Sequence, residues 1–442
     1  MHFKCPTSKS PDWLKITTTV ALTVCVLYAS TVRLNGVDFW LQAKVGELIA
    51  ASGNIPQTIL FPFTEISTEK FNAHEWLSSL LFHYALSFLG EDNIPFLIGL
   101  LGLVLFSIMA RLSYIRSNGN YPIALLGGFI SVLVENYRHV LRPELPSLIL
   151  LALLLIQLEN IKSKPNIIGH AGSALIIALW ANSHGSFILG PIVVAIYCIG
   201  SYIDLILANN FDSLRPNKLV INFFQLTIVS CIACFFTPFG FELIQFVFSF
   251  GTHSESSKHL TEWMPTFDPR MHVLRGFWIA LGTWILSVLI ILFNYRRVSA
   301  VDLLMFLAFS YLAFSAIRFP VYLGIISALP ISRHMSTYFQ TPKKTKYFML
   351  SLTFINLALL GLIYKFGNAA NLTTYTELDT TKFSIPMVET LKNPELQGNV
   401  LNTMELGAEL VYLTYPRMRP SIDCRIDSYG FCLLYTSDAA DD

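Results

Sequence analysis

Apolar runs of similar length recur along this chain, and they limit its possible folds more than any other feature. Each run is close to the roughly 20 residues that a helix needs to cross a bilayer. Lipid offers the backbone no hydrogen-bond partners, so the runs must be helices or barrel strands, and they are too long for barrel strands. We predict about eleven crossings, at 15–33, 94–111, 121–136, 143–159, 167–182, 187–207, 219–238, 276–293, 301–317, 320–333 and 347–365.

The composition also indicates a membrane protein. Hydrophobic residues make up 53% of the chain and charged residues only 13%, with a mean hydropathy of +0.54. A soluble domain carries about 25% charged residues, so this chain has too few to cover a surface of its size. The net charge of +1 gives no argument for a nucleic-acid partner, whereas membrane lipids are expected partners. The predicted fold class is an all-α polytopic membrane protein.

The apolar segment 74–90 decides the topology. If it does not cross, the connectors between spans that hold most of the Lys and Arg residues fall inside, as the positive-inside rule requires. If it crosses, every later loop is inverted. We therefore predict that 74–90 lies on the outer surface as a juxtamembrane helix. The N-terminus is then cytoplasmic, and the long loops 34–93 and 239–275 face outward.

Two acidic residues of the first outer loop are candidates for catalysis. Asp38 directly follows the first span, where it could accept a proton from an acceptor hydroxyl. It opens an amphipathic stretch that we expect to lie on lipid, with Phe39 and Trp40 at headgroup depth. The alternative for Asp38 is a helix N-cap. Glu75 is a second acid/base or a metal ligand, or else an acid stabilised by the dipole of the next helix.

Four further outer residues are candidates for substrate binding. Arg142 and Arg318 lie where the charge rule predicts few basic residues, which suggests that they bind a phosphate. The alternative for Arg142 is an ion pair with Glu144, itself a candidate. His184 ends a predicted span, and its alternative is a helix cap. The pair Glu262-Trp263 is interpreted as a structural part of an interfacial lid.

The pattern changes in the last part of the chain. Residues 399–402 and 420–425 are predicted strands, and 405–413 between them is a predicted helix. This is the start of an α/β domain, and a single βα pair cannot bury a core alone. We therefore expect a transmembrane domain at 1–365 and the beginning of a truncated extracytoplasmic domain at 366–432. Residues 433–442 are interpreted as a non-native tail.

An acid after the first span, a long outer loop with surface helices and outer arginines together resemble the GT-C class of membrane glycosyltransferases. More specifically, the chain resembles a bacterial family of polytopic membrane proteins related to that class. The resemblance is carried by Asp38-Phe39-Trp40-Leu41-Gln42, Gly53-Asn54-Ile55-Pro56, His74-Glu75-Trp76-Leu77, Arg142-Pro143-Glu144, Trp180-Ala181-Asn182-Ser183-His184-Gly185, Glu262-Trp263, Asn402 through Gly407 and Ile422-Asp423-Cys424-Arg425.

The resemblance implies a polyprenyl-phosphate-linked sugar donor, used at the outer face of the inner (plasma) membrane of a bacterium. Asp38 would be the base or electrostatic partner, and Arg142 and Arg318 would bind the lipid phosphate. No cofactor is assigned, and a divalent metal is left open.

The chain departs from the family pattern at two places. Gln42 stands where a His is expected, and Ile59 stands where an acid often follows the Ile-Pro turn. If that acid binds metal or substrate in relatives, this chain either lacks activity or uses Glu65 or Glu75 instead.

Two other functions stay open at this point. The chain could be a non-catalytic envelope assembly protein whose tail binds a partner, and this is favoured by Ile59 and by the tail cluster of Asp423, Arg425 and Asp427. It could also transport a lipid or solute, which would require charged residues along the middle of the spans. The spans hold few charges, and Glu135 and Asp204 lie near helix ends.

Overall fold

The structure is a computed structural model. It describes residues 12–31, 37–64, 67, 70–138, 141–209, 214–253, 261–268, 275–339, 341–367 and 390–425. The α-helices in chain order are α1 Asp12–Ser30, α2 Val37–Ser52, α3 Trp76–Leu89, α4 Ile94–Arg116, α5 Tyr121–Glu135, α6 Glu144–Ser163, α7 Ile167–Ala181, α8 Leu189–Ala208, α9 Lys218–Ala233, α10 Phe241–His253, α11 Arg275–Phe293, α12 Ala300–Ser315, α13 Pro320–Met335, α14 Pro342–Gly367 and α15 Met404–Thr414. Short 3-10 helices occur at Glu91–Asn93, Asn136–Arg138, Gly185–Ile188 and Thr261–Trp263.

A helix coincides with each apolar run that was predicted to cross. Among the described residues, the helices long and apolar enough to cross a membrane by themselves are Asp12–Ser30, Glu91–Arg116, Glu144–Ser163 and Gly185–Ala208. Shorter apolar helices accompany them, among them α5, α7, α9 and α12. The chain is therefore a helical membrane protein, and the number of about eleven crossings stays a prediction.

Side-chain burial in the helices is typical of a protein surrounded by lipid. Large apolar side chains such as Phe88, Ile167 and Tyr311 are exposed on helix surfaces. Small polar side chains, including Ser131 and Ser147, are completely buried between helices. Lipid solvates apolar surface, so helices in a bilayer pack through small residues and hydrogen bonds.

Asn and Ser caps begin several helices at the end of the bundle that was predicted to face inward. The side chain of Asn120 accepts a hydrogen bond from the Ile123 N–H at the start of α5, at 3.3 Å. Asn166, Asn217 and Ser299 cap α7, α9 and α12 in the same way. Each cap satisfies an N–H that has no partner within its helix.

Helix α2 is enclosed by protein, so the prediction that it lies on lipid is wrong. Phe39 and Trp40 are buried in the core instead of lying at headgroup depth. The Phe39 ring lies 5.5 Å from Phe82 of α3, and the Trp40 ring lies 4.5 Å from Tyr412 of α15. Helices from distant parts of the chain thus cover α2 on two sides.

Helix α3 is the apolar segment whose placement decides the topology. It buries Ser78 and Ser79 and exposes Leu81, Tyr84 and Phe88 at helical spacing. An exposed apolar face with buried serines fits a helix that contacts lipid. Its position on the outer surface stays a prediction.

The last described residues form a strand–helix–strand unit in the predicted order. Strand β1 (Gly398–Val400) pairs in parallel with β2 (Met418–Pro420), and α15 connects them. Arg419 donates to the carbonyl oxygens of Leu60, Phe61 and Pro62 at 3.3, 3.3 and 2.6 Å. The unit therefore completes its core against α2 and the loop between α2 and α3. The extent of an α/β domain beyond these residues stays a prediction.

Charged side chains gather at both ends of the bundle. At one end, Arg116 of α4 donates to Glu159 of α6 at 2.6 Å, and Arg333 of α13 donates to Asp302 of α12 at 3.2 Å. Glu144 begins α6 at the other end. Glu159 lies fifteen positions after Glu144, which puts the two ends about 22 Å apart at the helical rise of roughly 1.5 Å per residue.

Candidate functional site

The six candidate residues line one cavity of about 460 Å³, a volume within the usual range for small-molecule sites. The cavity lies at the end of the bundle where α2 and α6 begin. Its wall comes from α2, the turn before α3, the connector before α6, the 3-10 helices around Gly185 and Glu262, and the connector before α13. The candidates that line it are Asp38, Glu75, Arg142, Glu144, His184 and Arg318.

Asp38 and Arg142 form an ion pair on the cavity wall. Asp38 lies in the first turn of α2, where the helix dipole favours a carboxylate. Arg142 Nε lies 3.1 Å from Asp38 Oδ2, and Arg142 Nη1 donates to Glu262 Oε1. The alternative in which Glu144 is the ion-pair partner of Arg142 is therefore wrong. The reason is geometric, because Asp38 and Glu262 reach the guanidinium from other parts of the chain.

Glu262 lies at the centre of the charged residues, contrary to its interpretation as a structural lid residue. Three arginines interact with it, and we call them the arginine trio: Arg138, Arg142 and Arg318. Arg138 Nη2 donates to Glu262 Oε1 at 3.1 Å. Burial alone would raise the pKa of Glu262, but the positive charges of the arginine trio hold that pKa at about 2. The sequence could have indicated Glu262, because several arginines in loops that were predicted to face outward require a nearby acid to balance their charge.

Arg318 is fixed mainly by its backbone and by aromatic rings. Its N–H donates to the Glu262 carbonyl at 3.3 Å, and its guanidinium lies 4.9 Å from the centre of the Trp263 ring. Arg318 Nε is buried without a hydrogen-bond partner among the described residues, and so is Glu144 Oε1. Buried polar atoms in proteins normally have partners. A substrate in the cavity could supply them.

A second polar cluster in the cavity surrounds Glu75. Gln42, one turn after Asp38 on α2, donates its amide to Glu75 Oε2 at 2.6 Å, and Ser79 donates to Gln42. The Nε2 atoms of His74 and His184 lie 3.9 and 3.8 Å from Glu75 Oε1. Gln42, which stands where a His was expected, therefore holds the carboxylate of Glu75 in place.

His184 is both a cap and part of the cavity wall. Its Nδ1 accepts a hydrogen bond from the Ser186 N–H at 3.2 Å, at the start of the 3-10 helix Gly185–Ile188. Burial, and next the positive charge of Arg318, lower the pKa of His184 well below 6.5. The imidazole is therefore neutral at physiological pH, and the cap alternative is confirmed.

Comparison with solved structures identifies the fold. The chain resembles the apo form of the oligosaccharyltransferase from Archaeoglobus fulgidus, with a TM-score of 0.56 and 12% identity over 92% of this chain and 64% of that one. The archaeal oligosaccharyltransferase AglB from the same organism, in complex with an inhibitory peptide and a dolichol-phosphate, gives a TM-score of 0.57 and 12% identity, covering 93% of this chain and 64% of that chain. The chain therefore has a GT-C fold.

The match is one of fold and not of sequence. A third structure of the archaeal enzyme, in complex with Zn and sulfate, gives a TM-score of 0.53 and 14% identity over 91% of this chain and 62% of that chain. The chain thus spans less than two thirds of the length of these enzymes. No protein-family model matches its sequence, and no curated protein is significantly similar to it.

Among the described residues, the cavity shows no arrangement suited to a resident metal ion. No group of three or more His, Cys, Asp or Glu side chains in the described part of the chain is arranged to hold a metal. The group beside Asp38 is the guanidinium of Arg142, which neutralises the carboxylate and repels a cation. Arg142 thus provides the positive charge beside Asp38.

The strand–helix–strand unit also contributes to the cavity, through Cys424 and Arg425. Arg425 Nε donates to the Asp423 carboxylate at 3.1 Å, and its guanidinium lies 4.5 Å from the centre of the Phe71 ring. Asp423 and Arg425 of the tail cluster are therefore buried inside the chain, and Asp427 lies outside the described residues. Ile59 is buried against Ile422, so this position serves packing, and Glu65 lies outside the described residues.

Proposed function

We propose that this chain is a membrane glycosyltransferase that takes a sugar from a polyprenyl-phosphate-linked donor. The observation that carries the proposal is the cavity in which Asp38 of the first outer helix meets the arginine trio. The GT-C fold supports it, because one similar structure contains a dolichol-phosphate, which is also a lipid phosphate.

The arginine trio would bind the phosphate of the donor. A guanidinium presents its N–H groups in a fork that matches phosphate oxygens, and its charge persists when it is half-buried. Asp38 and Glu262 balance Arg142 strongly enough to raise its pKa despite burial. Arg142 is therefore charged at any pH at which the protein is folded, and Arg318 Nε adds a donor that lacks a partner among the described residues.

The acids would act on the acceptor. An acceptor hydroxyl oxygen attacks C1 of the sugar while the bond between C1 and the phosphate oxygen breaks. The electron pair of that bond leaves with the polyprenyl phosphate, and the hydroxyl proton goes to Asp38. Glu75, held by Gln42, would accept a hydrogen bond from a second hydroxyl of the substrate. Glu144 Oε1, which has no partner among the described residues, would do the same.

The site would face the extracytoplasmic side of a bacterial plasma membrane. Basic residues lie in the connectors before α7, α9 and α12 and in the helix turns beside the connectors before α5 and α14, at the end of the bundle that the charge rule assigns to the cytoplasm. The N-terminus would then be cytoplasmic. Residues 1–365 would form the transmembrane domain, and the strand–helix–strand unit would lie in an extracytoplasmic segment.

Replacement of Asp38 by Asn tests the proposal. Purified protein in detergent would be given polyprenyl-phosphate-linked hexoses and aminohexoses together with hydroxyl-bearing acceptors, and release of polyprenyl phosphate would be measured. Asp38→Asn is expected to lower release by about 100-fold or more, because general base catalysis contributes roughly 10²–10⁴-fold. Asp92→Asn is the matched control, since Asp92 lies exposed in the short helix Glu91–Asn93 and outside the cavity.

Thermal unfolding of both variants separates loss of chemistry from loss of fold. Asp38→Asn that keeps its unfolding temperature and still releases polyprenyl phosphate at the wild-type rate would contradict the proposed role of Asp38. If neither the variant nor the wild type releases polyprenyl phosphate from any donor, the proposed glycosyltransferase activity is contradicted.

A further inference from the structure

The charges on the cavity wall already balance before any substrate binds. The described lining holds four acidic residues, Asp38, Glu75, Glu144 and Glu262, and four basic ones, the arginine trio and Arg425. His184 is neutral because burial lowers its pKa. A phosphate that enters this cavity must therefore compete with carboxylates for the arginines.

Glu262 is the carboxylate that a phosphate would meet first. It accepts hydrogen bonds from Arg138 and Arg142, and the charge of Arg318 also lowers its pKa. A carboxylate and a phosphate bind guanidinium groups through the same fork of N–H donors. Glu262 thus occupies the position at which the arginine trio would bind an anion.

Hydrogen bonds hold the backbone around Glu262 in place, so only the Glu262 side chain can move away from the arginines. The Glu262 carbonyl accepts from the Arg318 N–H, and the Met264 carbonyl accepts from the Ile317 N–H at 2.9 Å. Thr266 Oγ1 donates to the Ala313 carbonyl at 2.6 Å. The Glu262 side chain is 35% exposed, which leaves it room to rotate away from the arginines.

We infer that Glu262 is an internal competitor of the lipid phosphate, which keeps the arginine trio from holding the released polyprenyl phosphate too tightly. The inference rests on the proposed function. The sugar-linked donor is a phosphodiester with one negative charge. The polyprenyl phosphate product is a monoester with a charge of about −1.5 to −2 at neutral pH. Arginines without a competing carboxylate would bind this product more tightly than the donor, and release would become slow.

Binding of a short-chain polyprenyl monophosphate to the full chain in detergent, measured by calorimetry, tests the inference. Glu262→Gln removes the charge and keeps the shape, so we expect it to lower the Kd at least tenfold, which is about 1.4 kcal/mol. Glu262→Asp keeps the charge and is expected to bind within about threefold of the wild type. Glu242→Gln is the matched control, because Glu242 pairs with the exposed Lys70 at 2.7 Å and lies outside the cavity.

The order of affinities separates competition from a structural role. If Glu262 merely positions the arginines, Glu262→Gln and Glu262→Asp will both bind the monophosphate more weakly than the wild type, and the inference is overturned. Arg142→Gln shows whether the proposed phosphate site exists. If Arg142→Gln abolishes binding but Glu262→Gln does not strengthen it, the inference alone is wrong. If neither the wild type nor Glu262→Gln binds, the phosphate site of the proposed function is wrong too.

Unfolding temperatures keep the comparison interpretable. Glu262→Gln is expected to remain folded, because its amide can still accept a hydrogen bond from Arg138 or Arg142. If Glu262→Gln unfolds at the wild-type temperature and binds the monophosphate more weakly than the wild type, the inference is overturned.

Discussion

Replacing Gly46 by Ala should separate the two helices that hold Asp38 and Glu75. A Cβ atom on Gly46 would lie 2.0 Å from the backbone oxygen of Ser79 and 2.8 Å from His83 Cβ. An ordinary carbon–oxygen contact is about 3.5 Å, so α2 and α3 must move apart by roughly 1.5 Å. The contact is with backbone and not with a flexible side-chain end, so no rotamer change can relieve it.

Separation of α2 from α3 is expected to change both the stability and the activity of Gly46→Ala. Overpacking of this kind costs about 1–3 kcal/mol, although Ala by itself is a better helix former than Gly by roughly 1 kcal/mol. The bond from Gln42 Nε2 to Glu75 Oε2, now 2.6 Å long, would stretch to about 4 Å, which is too long for a hydrogen bond. Misplacement of a catalytic group by about 1 Å can lower a rate by roughly 100-fold. We therefore expect transfer to fall about 10- to 100-fold.

Gly282→Ala is the matched control, because a Cβ atom on Gly282 of α11 has nothing within 4 Å. It should keep or slightly raise the unfolding temperature in detergent, whereas Gly46→Ala should lower it by several degrees. Release of polyprenyl phosphate would be measured for both. If Gly46→Ala equals Gly282→Ala in unfolding temperature and release rate, the close packing of α2 on α3 does not hold the site together.

Two further predictions concern His184 and the strand–helix–strand unit. Burial lowers the pKa of His184, so its contribution to stability is complete above pH 6.5 and is lost as the pH falls below that value. The unfolding temperature of the wild type should therefore drop as the pH falls from about 6.5 to about 5.5. His184→Asn, which keeps a cap acceptor for Ser186, should drop less over the same range, and equal slopes would contradict this. Arg419→Gln loses the hydrogen bonds to the carbonyl oxygens of the loop between α2 and α3, so limited proteolysis should release the strand–helix–strand unit faster, while Lys392→Gln, at an exposed position of the same segment, should not. Equal protection of the two variants would show that Arg419 does not hold the unit in place.

The sequence was sufficient to predict local structure. Apolar runs predicted where the helices lie, because the need to satisfy the backbone in lipid leaves few other choices. Asp38, Glu75 and Arg142 were singled out by their positions relative to the spans, and the structure brings them to one cavity.

Contacts between distant parts of the chain could not be predicted in this way. Arg142 has Glu144 two residues away, but it pairs with Glu262, which is 120 residues away. Trp40 looked like a residue for the lipid interface because Tyr412, which covers it, lies on a helix near the other end of the chain. An amphipathic pattern shows that a face must be covered, and it does not show whether lipid or protein covers it.

The charged side chains at the two ends of the bundle differ in solvent exposure, and this difference indicates different roles. At the end away from the cavity, the side chains of Arg116 and Asp302 are 2% and 1% exposed, so their charges serve to hold helices together. At the cavity, Asp38 and Glu262 are 38% and 35% exposed. A buried ion pair that loses a partner is destabilised by about 3–5 kcal/mol, whereas a half-exposed carboxylate can exchange its partner for water or an anion. The same residue types therefore act as a structural clamp at one end and as an exchangeable site at the other, which is the property that a transferase binding and releasing a lipid phosphate requires.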